Sequence, residues 1–570
     1  MNKLKNFLFL FLILLIGFWF RFNNVNWDEN FHLHPDERFL TMVGNAMTLP
    51  KNIGEYLNPI ISKINPANIG YKFFVYGNFP LVLNKYLAVF YHKDNYNDFT
   101  ILGRKLSAYL DLLIILFVFK TVFLLEKRYK FSSSLKYLAA FFYAIAVYPI
   151  QSSHFFTVDT FLNFFMFASF YLALKYYLKN NIRHLFLSSI FFGLALASKV
   201  SAIYILPLIL FFIFFKNPKK TSHILLFLVI LYLSLRLANP YYFQNSSLFD
   251  PRLNQDFVSS IKQLKSFEGK DIWYPPAVQW MNKPVSFLLV NLMFIGVGLP
   301  YFILMFIGIV WIILNLKSQI PACRQAGSNP HLKSKNYLLM IILIWVVGYF
   351  IYQSVSVFKS IRYTIYLYPF FAIFAGIGAN VILNSFQDLR FRNKFGMTLV
   401  TIFLLVILLV WPLMFSSIYL NKHTRVEASE WIYKNLPSGS SILSEAWDDG
   451  LPLPIVNNYE KQFTGEQLPV FDPDTPEKWQ KMNKMLAKAD YYILSSNRGW
   501  GSISTVPEKY PKMSKFYKEL LADKNPLYKK IKQFDPYYYC FFSLPNNWVE
   551  ETFTVYDHPQ VMIYENVKRQ

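Results

Sequence analysis

Long apolar runs separated by short polar segments fill the first 415 residues of this 570-residue chain. Phe7–Phe20, Leu110–Leu125, Ile224–Leu235, Tyr337–Ile351 and Leu399–Trp411 are the clearest. With their apolar flanks they approach the ~20 residues a helix needs to cross a hydrocarbon core of roughly 30 Å. The pattern predicts a mainly α, polytopic helical membrane protein. Letting basic loops mark the cytoplasmic side gives about eleven spans, with the N-terminus inside and the C-terminus outside. They fall near 6–22, 104–125, 133–150, 158–178, 221–238, 337–353, 363–383 and 397–415, with the remainder in two ambiguous stretches. Leu185–Phe215 is too long for one span, and a single crossing would put Lys216-Asn-Pro-Lys-Lys220 outside. Two short or partly re-entrant spans meeting near Ser198-Lys199 are expected instead. Residues 284–316 crossing twice would expose the basic loop Lys317–Lys335 outside, so an interfacial helix to about Gly296 followed by one crossing is expected.

The first run has a basic start, Lys3 and Lys5, but no small-x-small cleavage site, and Trp19, Phe20 and Phe22 close it. It reads as an uncleaved first span. Beyond residue 420 charges and turn signals become frequent. Val426–Lys434 and Pro476–Ala489 have helical patterns, while Ser440–Leu443 and Tyr491–Ser495 look like strands. The expected organisation is a transmembrane domain over 1–415, with a large first extracytoplasmic loop at 21–103, and an extracytoplasmic α/β domain over 416–570. No repeat of fixed period is evident.

Composition agrees: 54% of residues are apolar, 19% aromatic and 16% charged, against about a quarter charged in soluble domains. The net charge of +23 sits largely in short loops, which suits membrane orientation and argues against a nucleic-acid partner. Cys323 and Cys540 are far apart and imply neither a disulfide framework nor a Cys-based metal site.

The candidate chemistry is concentrated in Asn26-Trp-Asp-Glu-Asn-Phe-His-Leu-His-Pro-Asp-Glu-Arg-Phe-Leu40. Asp28, Glu29, Asp36 and Glu37, with His32, His34 and Arg38, lie just past the outer end of the first span. Transfer of a group from a phosphate to a hydroxyl needs a base for the hydroxyl and cations for the leaving phosphate. Carboxylates at a membrane surface facing basic side chains meet both needs. The plainer reading is a polar loop with helix-capping acids, since Pro35 suits a first helical turn and Asp36 and Glu37 suit its N-terminal end.

Asp28-Glu29 and His34-Pro-Asp-Glu-Arg-Phe39 resemble the first-loop acidic motif of GT-C membrane glycosyltransferases, in particular protein O-mannosyltransferases and lipid A aminoarabinose transferases. Tyr76-Gly-Asn-Phe-Pro-Leu81, Gly103-Arg-Lys-Leu-Ser107, Ser153–Thr160, Gly193–Lys199 and Lys359-Ser-Ile-Arg-Tyr363 resemble further pieces of the same family, in order. The resemblance implies Asp36 as catalytic base, supported by Glu37, with Asp28 and Glu29 as a second acidic pair able to exchange roles. It implies that Asp159 holds acceptor or sugar. Lys199, Arg236, Lys359 and Arg362 are candidate phosphate ligands, with snorkelling to the interface as the structural alternative. Arg104 either pairs with a first-loop acid or anchors its span. Asp111 and Lys120, inside a span, suit pairing between spans or a polar cavity.

The function implied is transfer of a hexose, mannose-like or related, from a polyprenyl-phosphate donor to a lipid, glycan or protein acceptor at the outer face of a plasma membrane. A single displacement would invert the anomeric carbon. No cofactor is required. A divalent metal held by His32, His34 and His154 with Asp28 or Asp36 stays open. The rival readings are a transporter or flippase of a lipid-linked sugar, and a non-catalytic scaffold. Transporters favour mid-membrane sites and repeated halves. This chain has its polar residues at one face and no repeat.

Overall fold

A computed structural model describes residues 2–129, 131–216, 221–269, 274–325, 337–388, 394–455, 461–536 and 549–569. Cys540, the Cys323 side chain, Lys219, Lys220, Arg390, Arg392 and most of the Lys317–Lys335 loop lie outside the described residues and side chains.

The chain is an integral membrane protein. Among the described residues six helices are long and apolar enough to span a bilayer, and a bent pair makes a seventh candidate. Shorter apolar helices include Asn6–Phe22, Leu135–Ala144, Ile182–Ser198 and Val200–Lys216. Val158–Lys179 lies at the centre of the bundle, with 83% of its apolar window buried, whereas Thr221–Ala238 is peripheral at 17%. Leu299–Gln325 and Tyr368–Asp388 meet backbone to backbone, because a Cβ on Gly308 would fall 1.9 Å from the Phe374 carbonyl oxygen. Small residues permit such close approach where helices pack in lipid.

Both ambiguous stretches break where the charge argument placed them. Helix Ile182–Ser198 ends at Lys199, which is extended (φ −161°, ψ 134°), and a 3-10 helix, Val200–Ile205, follows. Phe287–Gly296 and Leu299–Asn315 are bent by 117° around Gly298, whose φ of +86° favours glycine. Three details differ from expectation. The span near 133–150 is two helices, Leu135–Ala144 and Val147–Ser153, because Pro149 lacks the N–H that would continue the first. The helix expected from residue 104 starts at Tyr96. The first loop contains an apolar helix, Phe79–Phe90, which packs against it.

The C-terminal part carries a five-stranded sheet in the order β2-β1-β3-β5-β4, with β1 Ser441–Glu445, β2 Thr464–Leu468, β3 Tyr491–Leu494, β4 Tyr528–Phe534 and β5 Val561–Asn566. β2, β1 and β3 are parallel, while β5 is antiparallel to both neighbours. Alternate side chains point to opposite faces of a strand. Ile442, Tyr491, Ile493 and Ile563 therefore join the apolar core that runs through the bundle. Leu443, Tyr492, Leu494 and Met562 form a second core with residues of helices Pro476–Lys488 and Pro511–Leu521. The sheet thus packs onto one end of the bundle, where the first loop also lies.

Candidate active site

Helix Pro35–Ala46 begins with the signals its sequence carries: Pro35 in the first turn, and Asp36 and Glu37 beside the unpaired N–H groups. His34 caps it, its Nδ1 accepting from the Glu37 amide at 3.3 Å. Adjacent residues on this turn point apart, and the two acids meet different partners.

Asp36 Oδ2 accepts from Arg362 Nη1 at 2.5 Å. Arg362 also donates through Nε and Nη2 to Asp159 Oδ2, both at 2.8 Å. Asp159 Oδ1 accepts from Lys199 Nζ at 2.6 Å. The result is a row Asp36–Arg362–Asp159–Lys199 of alternating charge. Each member comes from the end of an element: the first turn of Val158–Lys179, the break after Ser198, and the start of the 3-10 helix Ile361–Leu367. The side chains of Asp36, Arg362 and Lys199 keep 25%, 19% and 21% exposure, so the row is open to a ligand. Burial works against ionisation of Asp36, but Arg362 and His34 outweigh it, and its pKa lies well below the usual carboxylate range. Tyr76 lies against the same carboxylate. The Gly77 N–H after it bonds the Ser198 carbonyl at 3.0 Å, so closely that a Cβ on Gly77 would fall 2.0 Å from the Ala197 oxygen.

Glu37 and Asp28 grip Arg104 instead. Arg104 Nη2 donates to Glu37 Oε1 at 2.5 Å and to Asp28 Oδ2 at 2.7 Å, Nη1 to Asp28 Oδ1 at 3.0 Å, and Nε to both Glu37 oxygens. Leu33 and Phe156 amides satisfy the remaining acceptors, and the guanidinium lies over Trp27 at 4.7 Å. All three charged side chains are buried. The structure therefore places this acidic pair in a closed knot that fixes the first loop on helix Tyr96–Tyr129.

A narrow cleft beside Asp159 and Arg362 is lined by His34, Tyr148, Gln151 and Tyr556. Tyr556 also lines a second cleft of about 640 Å³, with Pro35, Arg38, Trp447, Asp448, Asp449 and Arg498. The second cleft runs between the first-loop helix and the sheet. Arg38 bonds Asp449 at 2.9 Å across it.

Residues 101–242, which hold Asp159 and Lys199, match the sequence family described as dolichyl-phosphate-mannose-protein mannosyltransferase. The fold resembles that of the Archaeoglobus fulgidus oligosaccharyltransferase. A structure of that enzyme tethered by a disulfide to an acceptor peptide with the NVT sequon aligns over 99% of this chain and 89% of its own, at 12% identity and a TM-score of 0.53. Its complex with zinc and sulfate aligns over 89% and 71%, at 14% identity and a TM-score of 0.50. The chain thus has the fold of GT-C membrane glycosyltransferases. A looser likeness, with a TM-score of 0.42 at 12% identity over 99% of this chain and 98% of the other, is to ArnT from Cupriavidus metallidurans bound to undecaprenyl phosphate. No curated protein matches the sequence.

The remaining expected residues lie outside the row. Glu29 is exposed. Arg236 is buried over Phe243, and its Nη2 donates to the carbonyls of Asn245 and Ser247. Lys359 Nζ donates to the Ser356 carbonyl at 2.9 Å. Asp111 pairs with Arg21 at 2.7 Å and accepts from Tyr143 Oη at 2.6 Å, and Lys120 lies over the Phe117 ring at 5.5 Å. His32 bonds Asn97 at 2.9 Å, and His154 bonds the carbonyls of Ile150 and Asn23. Among the described residues no three His, Cys, Asp or Glu side chains form a metal-sized group. Sequence reasoning missed Tyr76, Tyr148 and Tyr556. Tyr76 had a signal, the glycine beside it that backbone contact requires. The other two had none.

His34 packs between Phe155 at 4.5 Å and Tyr556 at 4.1 Å, and burial pushes its pKa down to about 3. The folded state keeps it neutral while the unfolded chain takes a proton below about 6.5. Its stability contribution is therefore present above 6.5 and is lost as pH falls toward about 3. A His34→Asn variant, which keeps a capping side chain, should lose less melting temperature than wild type as pH drops from about 7 to 5. Equal losses would contradict this.

Proposed function

We propose that the protein transfers a sugar from a polyprenyl-phosphate carrier to an acceptor hydroxyl at the outer face of a plasma membrane, with its N-terminus cytoplasmic. The observation that carries the reading is the half-open row Asp36–Arg362–Asp159–Lys199 at the ends of the helices. Arg362 and Lys199 hold the carrier phosphate, Arg as a planar fork and Lys as a point charge. As Arg362 turns to the phosphate, Asp36 is freed to accept the acceptor proton. The acceptor oxygen attacks the anomeric carbon. The bond from that carbon to the phosphate oxygen breaks, and the phosphate leaves with the electron pair. Charge on the leaving group is met by fixed cations, so the step uses no metal. One displacement inverts the anomeric carbon. A mannose-like hexose or an aminopentose is the expected sugar, and undecaprenyl or dolichyl phosphate the expected carrier, as in the proteins it resembles. The acceptor enters through the larger cleft, which shares Tyr556 with the reacting centre. The row's place at helix ends, rather than mid-span, argues for transfer over transport.

Lys199→Gln should raise KM for the donor about tenfold or more, given ~1.5–3 kcal/mol for a hydrogen bond to a charged group. An unchanged KM would remove Lys199 from the phosphate site. Nuclear magnetic resonance of the product should show the anomeric configuration opposite to the donor's, and retention would overturn the single displacement.

A further inference from the structure

Glu550 belongs to the segment that leads into the short helix Glu551–Thr554, far in sequence from the row, yet it is 1% exposed and its carboxylate bonds the two residues that precede Arg362. Its Oε2 accepts from the Ile361 amide at 2.8 Å, and its Oε1 accepts from the hydroxyls of Ser360 and Thr552. Its own amide donates to Asn291 Oδ1 at 2.9 Å, on the helix before the 117° bend. Ser360 Oγ in turn accepts from the Arg362 amide at 3.1 Å and caps the 3-10 helix that carries Arg362. One buried carboxylate thus holds both residues preceding Arg362, where three donors converge on its two oxygens. A bare structural anchor would need no charge here, and a neutral acceptor would avoid the desolvation cost.

We propose that Glu550 is a positioning residue, which sets where Arg362 stands between Asp36 and Asp159 and so ties the C-terminal sheet to the reacting centre. The inference rests on the glycosyl-transfer reading of the row. The groups facing Glu550 from the packed elements are Arg362 and the phenols Tyr148, Tyr363 and Tyr368. Burial pushes the Glu550 carboxyl up to about 7, against the pull of Ser360, Thr552, Ile361 and Arg362. Protonation converts one acceptor oxygen into a donor and removes the charge facing Arg362, so activity falls as pH drops through about 7. Stability runs the other way. A carboxyl whose pKa is raised on folding contributes stability at low pH, and that contribution is lost as pH rises through about 7.

The test compares full-length wild type, Glu550→Gln and Ser360→Ala in donor turnover across pH. Misplacement of a positioning group costs up to about a hundredfold. Glu550→Gln should lower kcat between about tenfold and a hundredfold, with donor KM within about twofold, and should lose the activity step near pH 7. Ser360→Ala, which removes one donor and leaves the carboxylate, should fall in between, and it carries the test if Glu550→Gln does not fold. Glu550→Gln should melt no lower than wild type above that pH. An unchanged kcat in both variants, or a step that survives in Glu550→Gln, would overturn the proposal. If wild type moves no sugar at any pH, the transfer reading fails, and positioning is read instead from hydrogen exchange at the Ile361 and Arg362 amides. Faster exchange in Glu550→Gln, and in wild type below about pH 7 after correction for the intrinsic rate, supports the proposal. Equal exchange overturns it.

Discussion

Replacing Arg104 by methionine is expected to destabilise the protein by about 3–5 kcal/mol, the range for breaking a buried ion pair from one side. The reason is what stays behind. Asp28 and Glu37 are both buried and would face each other without a cation. Both carboxylates also fix the backbone, through the Leu33 and Phe156 amides, so the loop that presents Asp36 would loosen with them. Thermal unfolding of detergent-purified protein should show a melting transition well below wild type, with a low folded yield. The triple variant Arg104→Met, Asp28→Asn, Glu37→Gln should recover more than half of the loss, because its amide oxygens still accept from Leu33 and Phe156 while the stranded charges are gone. Such non-additivity is the signature of residues acting as one network. Wild-type melting in the single variant would mean that the knot does not hold the loop.

Arg362→Gln should act in the opposite manner, with little change in melting and a fall in turnover of about 10²–10³, the effect of removing one preorganised electrostatic contact to a developing charge. Arg362→Lys should recover only a part, because an ammonium cannot bridge Asp36 and Asp159 as the guanidinium does. A second consequence follows from what holds Asp36 ionised. Burial raises its pKa and Arg362 is the largest influence lowering it, so Arg362→Gln should shift the acid limb of the pH–rate profile upward. Turnover within about twofold of wild type would exclude Arg362 from the phosphate site.

These two variants also mark what the sequence made legible. Local signals determined much of the architecture. Charge bookkeeping across a bilayer located the break at Lys199 and the bend after Gly296, and turn chemistry at Pro35 located the helix that carries Asp36. What it left open was which acidic pair faces outward. Asp36 and Glu37 are adjacent, and only the packing of helix Tyr96–Tyr129 against the first loop assigns Glu37 to Arg104. The partner of Asp36 stands 326 residues away, beyond the reach of any periodicity. Glu550 is less legible still. It lies in a stretch with no motif, and its role arises only because the sheet docks with that segment against Ser360 and Ile361. Arg236 and Lys359 looked equivalent to Lys199 and Arg362 as basic residues near one membrane face. In the structure Arg236 Nη2 and Lys359 Nζ donate to backbone carbonyls, and carbonyl partners carry no sequence signal.

The most direct test of the central claim is sugar release from radiolabelled polyprenyl-phosphate sugars by purified wild-type protein beside Asp36→Asn. A general base contributes about 10²–10⁴ to such a step. The account predicts that wild type consumes one of the donors and that Asp36→Asn is slower by that factor while melting as wild type does. Equal release by the two proteins, or a donor left intact by both while it is carried across liposome membranes, would contradict it.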